Sequence, residues 1–508
     1  MLVVGAGPTG LMAASELRRH RVECRLIDRA PIPHREARAT GVQARTLEIL
    51  ERTGIVEPWL AAGRRLSRIR SLAPDGTELR SLSLEGLETP YPFVLSIQQR
   101  LTEAFLTEHL RRLGCHVEHG VELVELREDA GHVEVVLAGP GGRLERADFD
   151  YVVGADGLHS SVREEIGIVL GGAGDYAGVF SVAEVELDWS YPTDELIYFV
   201  AAPNLVMVGP LAEGRVLLVA DDPEGRPGEP PHADELRAIL AGRAPAPPPE
   251  LKAVHWSSRF HLHCRLASAM RRGRVLLAGD AAHVCSLFGG QGLNMGIHDA
   301  HNLGWKLALV VSGRAGETLL ASYEAERRPA AEAELAFTDA SHRALFASAA
   351  SWPPSALGHE AAFLGSTDTA ARRRLLALAE LDVDLRGSDI VTTLGDPPEG
   401  GLVAGDWVPD GGVRLASGDE AKLSTLLGGG GHVVLVTADS DRGPVDAVLD
   451  RARVPIACYP LAGVGEIAER IGQPPALVAV RPDGYAGLVS RPVDAGALER
   501  YLDELCAS

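Results

Sequence analysis

Lysine is almost missing from this chain: Lys252, Lys306 and Lys422 are the only ones, and arginine carries the remaining positive charge. With 70 acidic against 49 basic residues the formal net charge is -21. That balance excludes a nucleic-acid backbone or an anionic membrane as the expected partner, because either would repel this surface. Cysteine is sparse too. Cys24, Cys115, Cys264, Cys285, Cys458 and Cys506 form no CxxC pair and no disulfide-like spacing, so free thiols in a reducing cytoplasm are expected. No uncharged apolar run reaches the roughly 18 residues needed to cross a bilayer. Met1–Leu17 is apolar, but it lacks a basic start and is interrupted by Gly5, Gly7, Pro8 and Gly10, so it is not expected to be a secretory leader.

What is present is a globular composition, 46% hydrophobic and 23% charged, on 508 residues, too many for a single core. The chain opens with a strand (Leu2–Val4), a glycine turn, a helix (Gly10–His20) and a second strand (Val22–Ile27), a βαβ start. Apolar spacing predicts helices over Arg45–Glu57 and Thr102–Leu113, and strands over Val117–Val124, Val133–Leu137 and Phe149–Val153. Short β-rich runs from Val179 to Val219 predict a separate sheet. After a buried strand at Val275–Ala278, Leu293, Ile297, Ala300, Gly304, Leu307 and Val311 recur four and three apart along one face of a helix. Helical pattern continues to about Arg386, before a last unit with strands at Val433–Thr437 and Leu477–Val480 and a helix near Ala497–Leu505.

Gly5-Ala6-Gly7-Pro8-Thr9-Gly10 is a GxGxxG between strand and helix. Its glycines permit a tight turn and let the backbone approach a pyrophosphate seated on the helix N-terminus. Asp28 closes the second strand, where a carboxylate accepts hydrogen bonds from ribose hydroxyls. This motif specifies a dinucleotide without choosing NAD or FAD. Two further motifs follow strands: Gly154-Ala155-Asp156-Gly157 through Arg163, and Gly279-Asp280-Ala281-Ala282-His283 running on to Gly289-Gly290-Gln291-Gly292-Leu293-Asn294. The backbone N–H groups of the last segment, at a helix start, favour the negative pyrimidine end of a reduced flavin by roughly 0.3–2 kcal/mol.

Taken together, these motifs resemble those of the group A flavin-dependent aromatic hydroxylases, which include para-hydroxybenzoate and phenol hydroxylases. The likeness is greatest to the branch acting on aromatic polyketides and to rifampicin monooxygenases. It extends to Tyr323-Glu324-Ala325-Glu326-Arg327-Arg328-Pro329 and to Arg481-Pro482-Asp483-Gly484. The resemblance implies an α/β fold: a Rossmann-like FAD-binding domain of the para-hydroxybenzoate hydroxylase type (1–175, with a substrate-domain excursion near 68–96, and 268–390 with a helical region), a β-sheet substrate domain (176–267), and a thioredoxin-like C-terminal domain (391–508) lacking CxxC. It implies bound FAD, NADPH or NADH as cosubstrate, and dioxygen delivered through a flavin C4a-hydroperoxide to a phenolic or polycyclic aromatic substrate. Baeyer–Villiger oxygenation or ring cleavage by the same hydroperoxide, and a flavin-bearing ligand-binding or resistance protein, stay open, as does a homodimer.

By position, the resemblance places Gly5, Gly7, Pro8, Thr9 and Gly10 at the pyrophosphate and Asp28 with Arg29 at the adenosine ribose. Arg38 would lie along the phosphates and ribityl chain, and Gln99 on the flavin side. Asp156 would sit near the FAD and nicotinamide phosphates, Gly279 and Asp280 at the ribityl hydroxyls, and Gly290, Gly292, Leu293 and Asn294 beneath the flavin. No catalytic base is assigned; Tyr176, Tyr198 and Arg215 lie in the substrate-sheet region. The chain departs from the family at Leu287, where a proline is usual, and at Thr40, where phenol hydroxylases carry an aspartate. No metal is expected at His298-Asp299-Ala300-His301, His261 and His263 are expected to be structural, and Cys285 is expected to be a packed thiol.

Overall fold

The computed structural model describes residues 1–33, 40–129, 131–176, 178–201, 204–287, 289–346, 368–410, 412–415, 417–437, 440–461, 466–471 and 476–507. Three fully buried apolar triplets, Leu2–Val4, Val152–Gly154 and Val275–Leu277, form the middle of a six-stranded sheet. In order across the sheet the strands are Arg271–Arg272, Val275–Leu277, Val152–Gly154, Leu2–Val4, Arg25–Asp28 and Val117–His119. Every neighbouring pair is parallel except the short edge strand Arg271–Arg272. Parallel strands covered on both faces carry continuous apolar runs rather than alternation, as these do. The Gly5 turn, Asp28, the Asp156 motif and the Gly279-Asp280 pair all follow carboxyl ends of these strands, the edge at which open α/β sheets bind ligands.

Two helices lock that edge. Pro8–Arg19 packs along Gly292–Val311, and two glycines of the second helix set the approach. A Cβ built at Gly296 would lie 2.1 Å from Thr9 Oγ1, and one at Gly304 would lie 2.4 Å from Glu16 Cβ. The four-and-three spacing therefore marked a real packing face, with its glycines at the closest contacts.

A seven-stranded sheet stands opposite, ordered Leu251–Phe260, Phe180–Leu187, Arg215–Asp221, Asn204–Pro210, Glu195–Ala201, Arg68–Leu72 and Glu78–Ser83. Strand alternation splits its residues. Ala183, Val185, Phe199, Val208 and Leu218 pack beneath the helix Ala233–Arg243, whereas Val182, Leu217 and Val219 turn to the other face. The hairpin Arg68–Leu72 and Glu78–Ser83 joins this sheet from an early part of the chain, Arg68–Leu72 running parallel to Glu195–Ala201.

The last unit holds a mixed five-stranded sheet, ordered Thr392–Leu394, Ala486–Ser490, Leu477–Val480, His432–Thr437 and Ile456–Leu461. The helix Ala495–Cys506 packs against it and carries Leu498, Tyr501 and Leu505 into a core shared with Trp305 and Leu319.

Three expected elements are broken in the structure. The predicted helix Arg45–Glu57 is two helices, Ala44–Arg52 and Glu57–Ala62, because Gly54 takes a φ of +74° that ends the first. Val117–Val124 divides at Gly120, φ +72°, sending Val117–His119 to the parallel sheet and Glu122–Asp129 to an antiparallel one. Phe149–Val153 likewise divides between Leu144–Phe149 and Val152–Gly154 in different sheets.

Candidate active site

A single cavity of about 1240 Å³ lies between the two large sheets. It exceeds the roughly 300–1,000 Å³ of a one-ligand pocket, so it has room for a cofactor and a second molecule. One end is the glycine turn. Gly5 has φ +99°, and a Cβ there would lie 2.3 Å from Ala155 O; a Cβ on Gly10 would lie 1.8 Å from Gly5 O. Around Gly7, the N-cap of the helix Pro8–Arg19, a Cβ would meet nothing within 4 Å. The turn is thus closed behind and open in front, where backbone N–H groups favour an anion. Asp28 is fixed beside it, accepting from Ala6 N at 2.7 Å and Ala30 N at 2.8 Å.

Of the sequence-predicted site residues, Gly5, Gly7, Pro8, Thr9, Asp28, Arg29, Gln99, Asp156, Asp280, Gly290, Gly292 and Leu293 line this cavity. Gly10, Gly279 and Asn294 stand behind its wall. Gly279 has φ +61° and presses on Thr9, 2.5 Å from a built Cβ to Oγ1. Asn294 is a clamp: its Nδ2 donates to Gly41 O at 3.0 Å and Gly290 O at 2.7 Å, and its Oδ1 accepts from Gln43 N at 2.9 Å. Arg38 lies outside the described residues.

Asp156 accepts from Ser160 Oγ at 2.5 Å and Val162 N at 3.2 Å. Burial raises its pKa, and these bonds offset part of the rise. Gln99 opens the helix Gln99–Arg112 and donates to Glu103 Oε1 at 2.8 Å.

The far wall is apolar: Leu66, Val182, Met207, Leu217, Val219 and Phe260 face the cavity from the seven-stranded sheet and its neighbours. Tyr198 lines it as well. Tyr176 and Arg215 do not: Tyr176 donates to Asp339 Oδ1 at 2.9 Å, and Arg215 pairs with Glu184 at 2.6 Å. His261 and His263, which were expected to be structural, border the cavity at the break between Leu251–Phe260 and His263–Ala267. Leu287 packs against the Val182, Leu217 and Val219 face, bridging the glycine loop to the sheet.

A model of the FAD binding domain matches residues 1–338. The chain belongs to the FAD-binding domain family. It is 39% identical over 341 residues to the 6-methylpretetramide 4-monooxygenase of Streptomyces rimosus, an alignment covering 65% of this chain and 59% of that protein. The chain therefore spans less than two thirds of that relative. A flavin-dependent monooxygenase of Mycobacteroides abscessus is 30% identical, with 96% of this chain and 97% of the relative covered. Among solved structures, the anhydrotetracycline hydroxylase from Streptomyces rimosus superposes with a TM-score of 0.80 at 29% identity, covering 100% of this chain and 99% of the other.

The residues present suit FAD. Besides the open cradle at Gly7, the wall near Gly289 holds two buried amide oxygens, Gln43 Oε1 and Gln291 Oε1, without hydrogen-bond partners among the described residues. A flavin pyrimidine offers an N–H donor there. Gln43 Nε2 meanwhile donates to Gly289 O at 2.8 Å, tying it to the loop.

Sequence reading missed the support behind the Gly279-Asp280 turn. Asp299 is fully buried and accepts from Gly279 N at 3.0 Å, His283 Nε2 at 2.6 Å and Arg327 Nε at 2.8 Å. Burial alone would raise its pKa, but His283 and Arg327 hold it down to about 2. The signal was present in the Ala281-Ala282-His283 and Glu326-Arg327 motifs, but nothing in the sequence joined them. His298 and His301, set aside as metal ligands, face Glu380 at 3.1 Å and Glu16 at 3.3 Å respectively. Cys285 is half-buried in the cavity wall near Gly292, and desolvation pushes its thiol up, away from the reactive thiolate.

Proposed function

We propose that this protein is an FAD-dependent monooxygenase that uses NAD(P)H and dioxygen to hydroxylate a phenolic or polycyclic aromatic substrate. One observation carries the proposal: the dinucleotide cradle and the apolar face of the seven-stranded sheet line one continuous cavity. A site between two structural layers, apolar with a few converging polar groups, is the usual form of a small-molecule pocket. The kinship with a pretetramide monooxygenase and an anhydrotetracycline hydroxylase supports a fused-ring aromatic as the second occupant.

In this reading Gly5–Gly10 and the N-terminus of Pro8–Arg19 hold the pyrophosphate, and Asp28 accepts from the adenosine ribose. Asp156 and Asp280 sit along the phosphates and ribityl chain, while Gly290–Leu293 place backbone N–H groups at the flavin pyrimidine. Bound FAD supplies the redox chemistry, accepting hydride from NAD(P)H and activating dioxygen. The protein's own part is to orient the ring and exclude water. Val182, Leu217, Val219 and Leu287 give the substrate a dry, flat wall, which favours oxygen transfer to the ring over loss to solvent. The mixed sheet of the last unit supports a thioredoxin-like domain. That unit has Cys458 and Cys506 as its cysteines, and we assign it to packing rather than thiol exchange.

The test is an absorbance spectrum of the purified protein, followed by NADPH and NADH consumption across a panel of polycyclic phenols with mass spectrometry of products. A flavin spectrum, ligand-stimulated oxidation and a gain of one oxygen are expected. A colourless protein that takes up no FAD overturns the proposal; a ring-expanded or cleaved product would redirect it to Baeyer–Villiger chemistry.

A further inference from the structure

Among the described residues three arginines line the cavity, and they are not equivalent. Arg29, at the nucleotide end, is exposed. Arg259 is neutralised, paired with Asp222 at 2.7 Å and Glu235 at 2.7 Å. Arg374, on the helix Asp368–Leu378, is half-buried and meets no carboxylate or hydrogen-bond acceptor among the described residues. Burial lowers its pKa, and among the described residues no counter-charge raises it. A guanidinium removed from water without a partner is costly, and proteins keep such groups where a ligand completes them.

A chain of contacts gives its place. Gln291 Nε2 donates to Leu378 O at 3.1 Å, and Arg374 stands one helical turn before Leu378. On the other side of the same loop, a Cβ built on Gly289 would lie 3.5 Å from Phe337 Cε1. Ser341, one turn beyond Phe337 on the helix Glu317–Phe346, also lines the cavity. It is 1% exposed, and its Oγ has no hydrogen-bond partner among the described residues. Both groups therefore flank the Gly289–Gln291 loop. Gly292, just past the loop, leads instead toward Asp280, 3.8 Å from its built Cβ, and Gly279 beside Asp280 meets Thr9 of the glycine turn.

We propose that Arg374 and Ser341 form an anion subsite at this end of the cavity, holding a pair of coplanar, negatively charged oxygens on the aromatic substrate, as in a carboxylate or a β-diketone enolate. The planar fork of arginine matches such a pair with two parallel N–H···O bonds. Leu375, Leu378 and Phe337 surround it with apolar surface that strengthens the pairing. The subsite rests on the flavin-and-aromatic reading of the same cavity and adds to it: the substrate is an acid, oriented by its anionic edge.

The test measures binding to the FAD-loaded protein by perturbation of flavin absorbance, with three probes: hydroxynaphthoate, naphthol and acetylindanedione, an acidic β-diketone. Both acids should bind more tightly than naphthol. R374Q should weaken them about 10- to 100-fold, the range for a charge-assisted pair, and leave naphthol unchanged, with R374K restoring part of the loss. S341A should weaken the same acids less. Discrimination by either acid alone supports the subsite and identifies its oxygen source. Equal binding of all three probes, or an equal loss for naphthol in R374Q, overturns it. If R374Q does not fold, S341A decides: loss confined to the acids supports the subsite, and no loss overturns it. Wild-type protein without flavin would instead fail the reading of the cavity itself.

Discussion

Single residues carry this site through what they leave open or hold shut. Gly10 has no room for a methyl group, since a Cβ would lie 1.8 Å from Gly5 O; G10A is expected to purify without flavin, checked by the ratio of protein to flavin absorbance. Asn294 is the sharper case. Its amide satisfies Gly41 O, Gly290 O and Gln43 N at once. N294A leaves these groups unpaired at about 1–3 kcal/mol each, so FAD affinity should fall at least tenfold in a fluorescence titration, with the aromatic wall intact. Asp299 adds a pH signature. Its carboxyl is held down to about 2, below the ordinary 3.8, so its stabilisation is complete above pH 4 and is lost as pH falls toward 2. D299N should release flavin at neutral pH and lose that part of the acid dependence, measured as flavin fluorescence against pH.

At the scale of elements, the helices Ala44–Arg52, Gly292–Val311 and Glu317–Phe346 enclose a second buried acidic group. Burial pushes Glu380 up to about 8, where its carboxyl lies 3.1 Å from His298 Nε2; burial pushes that histidine well below its ordinary range. A protonated Glu380 donating to a neutral imidazole fits both. Burial, with Glu380 and Asp382 nearby, also raises Glu334. A carboxyl whose folded pKa is raised stabilises the fold relative to its ionised form below the unfolded value and loses that advantage as pH climbs toward the folded one. The double variant E334Q/E380Q should therefore match wild type at pH 5 and melt at a higher temperature at pH 8.5, read by thermal unfolding. Equal melting curves at the two pH values would show that these carboxyls are ionised throughout.

For the whole molecule, the last unit is joined to the FAD-binding part by a buried ion cluster. Arg481 is fully buried and reaches Glu326 at 2.7 Å and Asp483 at 2.5 Å, while Lys306 meets Glu326 at 2.6 Å and Trp305 Nε1 donates to Asp483 at 3.0 Å. Removing one partner of such a set costs about 3–5 kcal/mol. R481M is expected to lower the thermal midpoint and to separate one unfolding transition into two, visible by calorimetry. The chain carries a formal net charge of -21, and among the described residues no helix is long and apolar enough to cross a membrane.

The sequence alone determined the backbone shape of the glycine-rich end of this cavity. The turn at Gly5–Gly10, the carboxylate at Asp28 and the Asp156 and Asp280 motifs are local: a few consecutive residues set backbone shape, and that shape selects a dinucleotide. Tertiary structure decided what meets those motifs. Asp299 reaches Gly279 from 20 positions away and is itself held by Arg327, 28 positions further on, and Arg374 and Ser341 face one loop from two helices. None of these contacts leaves a periodic or spacing signal, because each depends on how elements pack rather than on how residues follow one another. The same reason removed Tyr176 and Arg215 from the cavity while keeping Tyr198: strand alternation and neighbouring partners, not proximity in sequence, chose which side chain points inward.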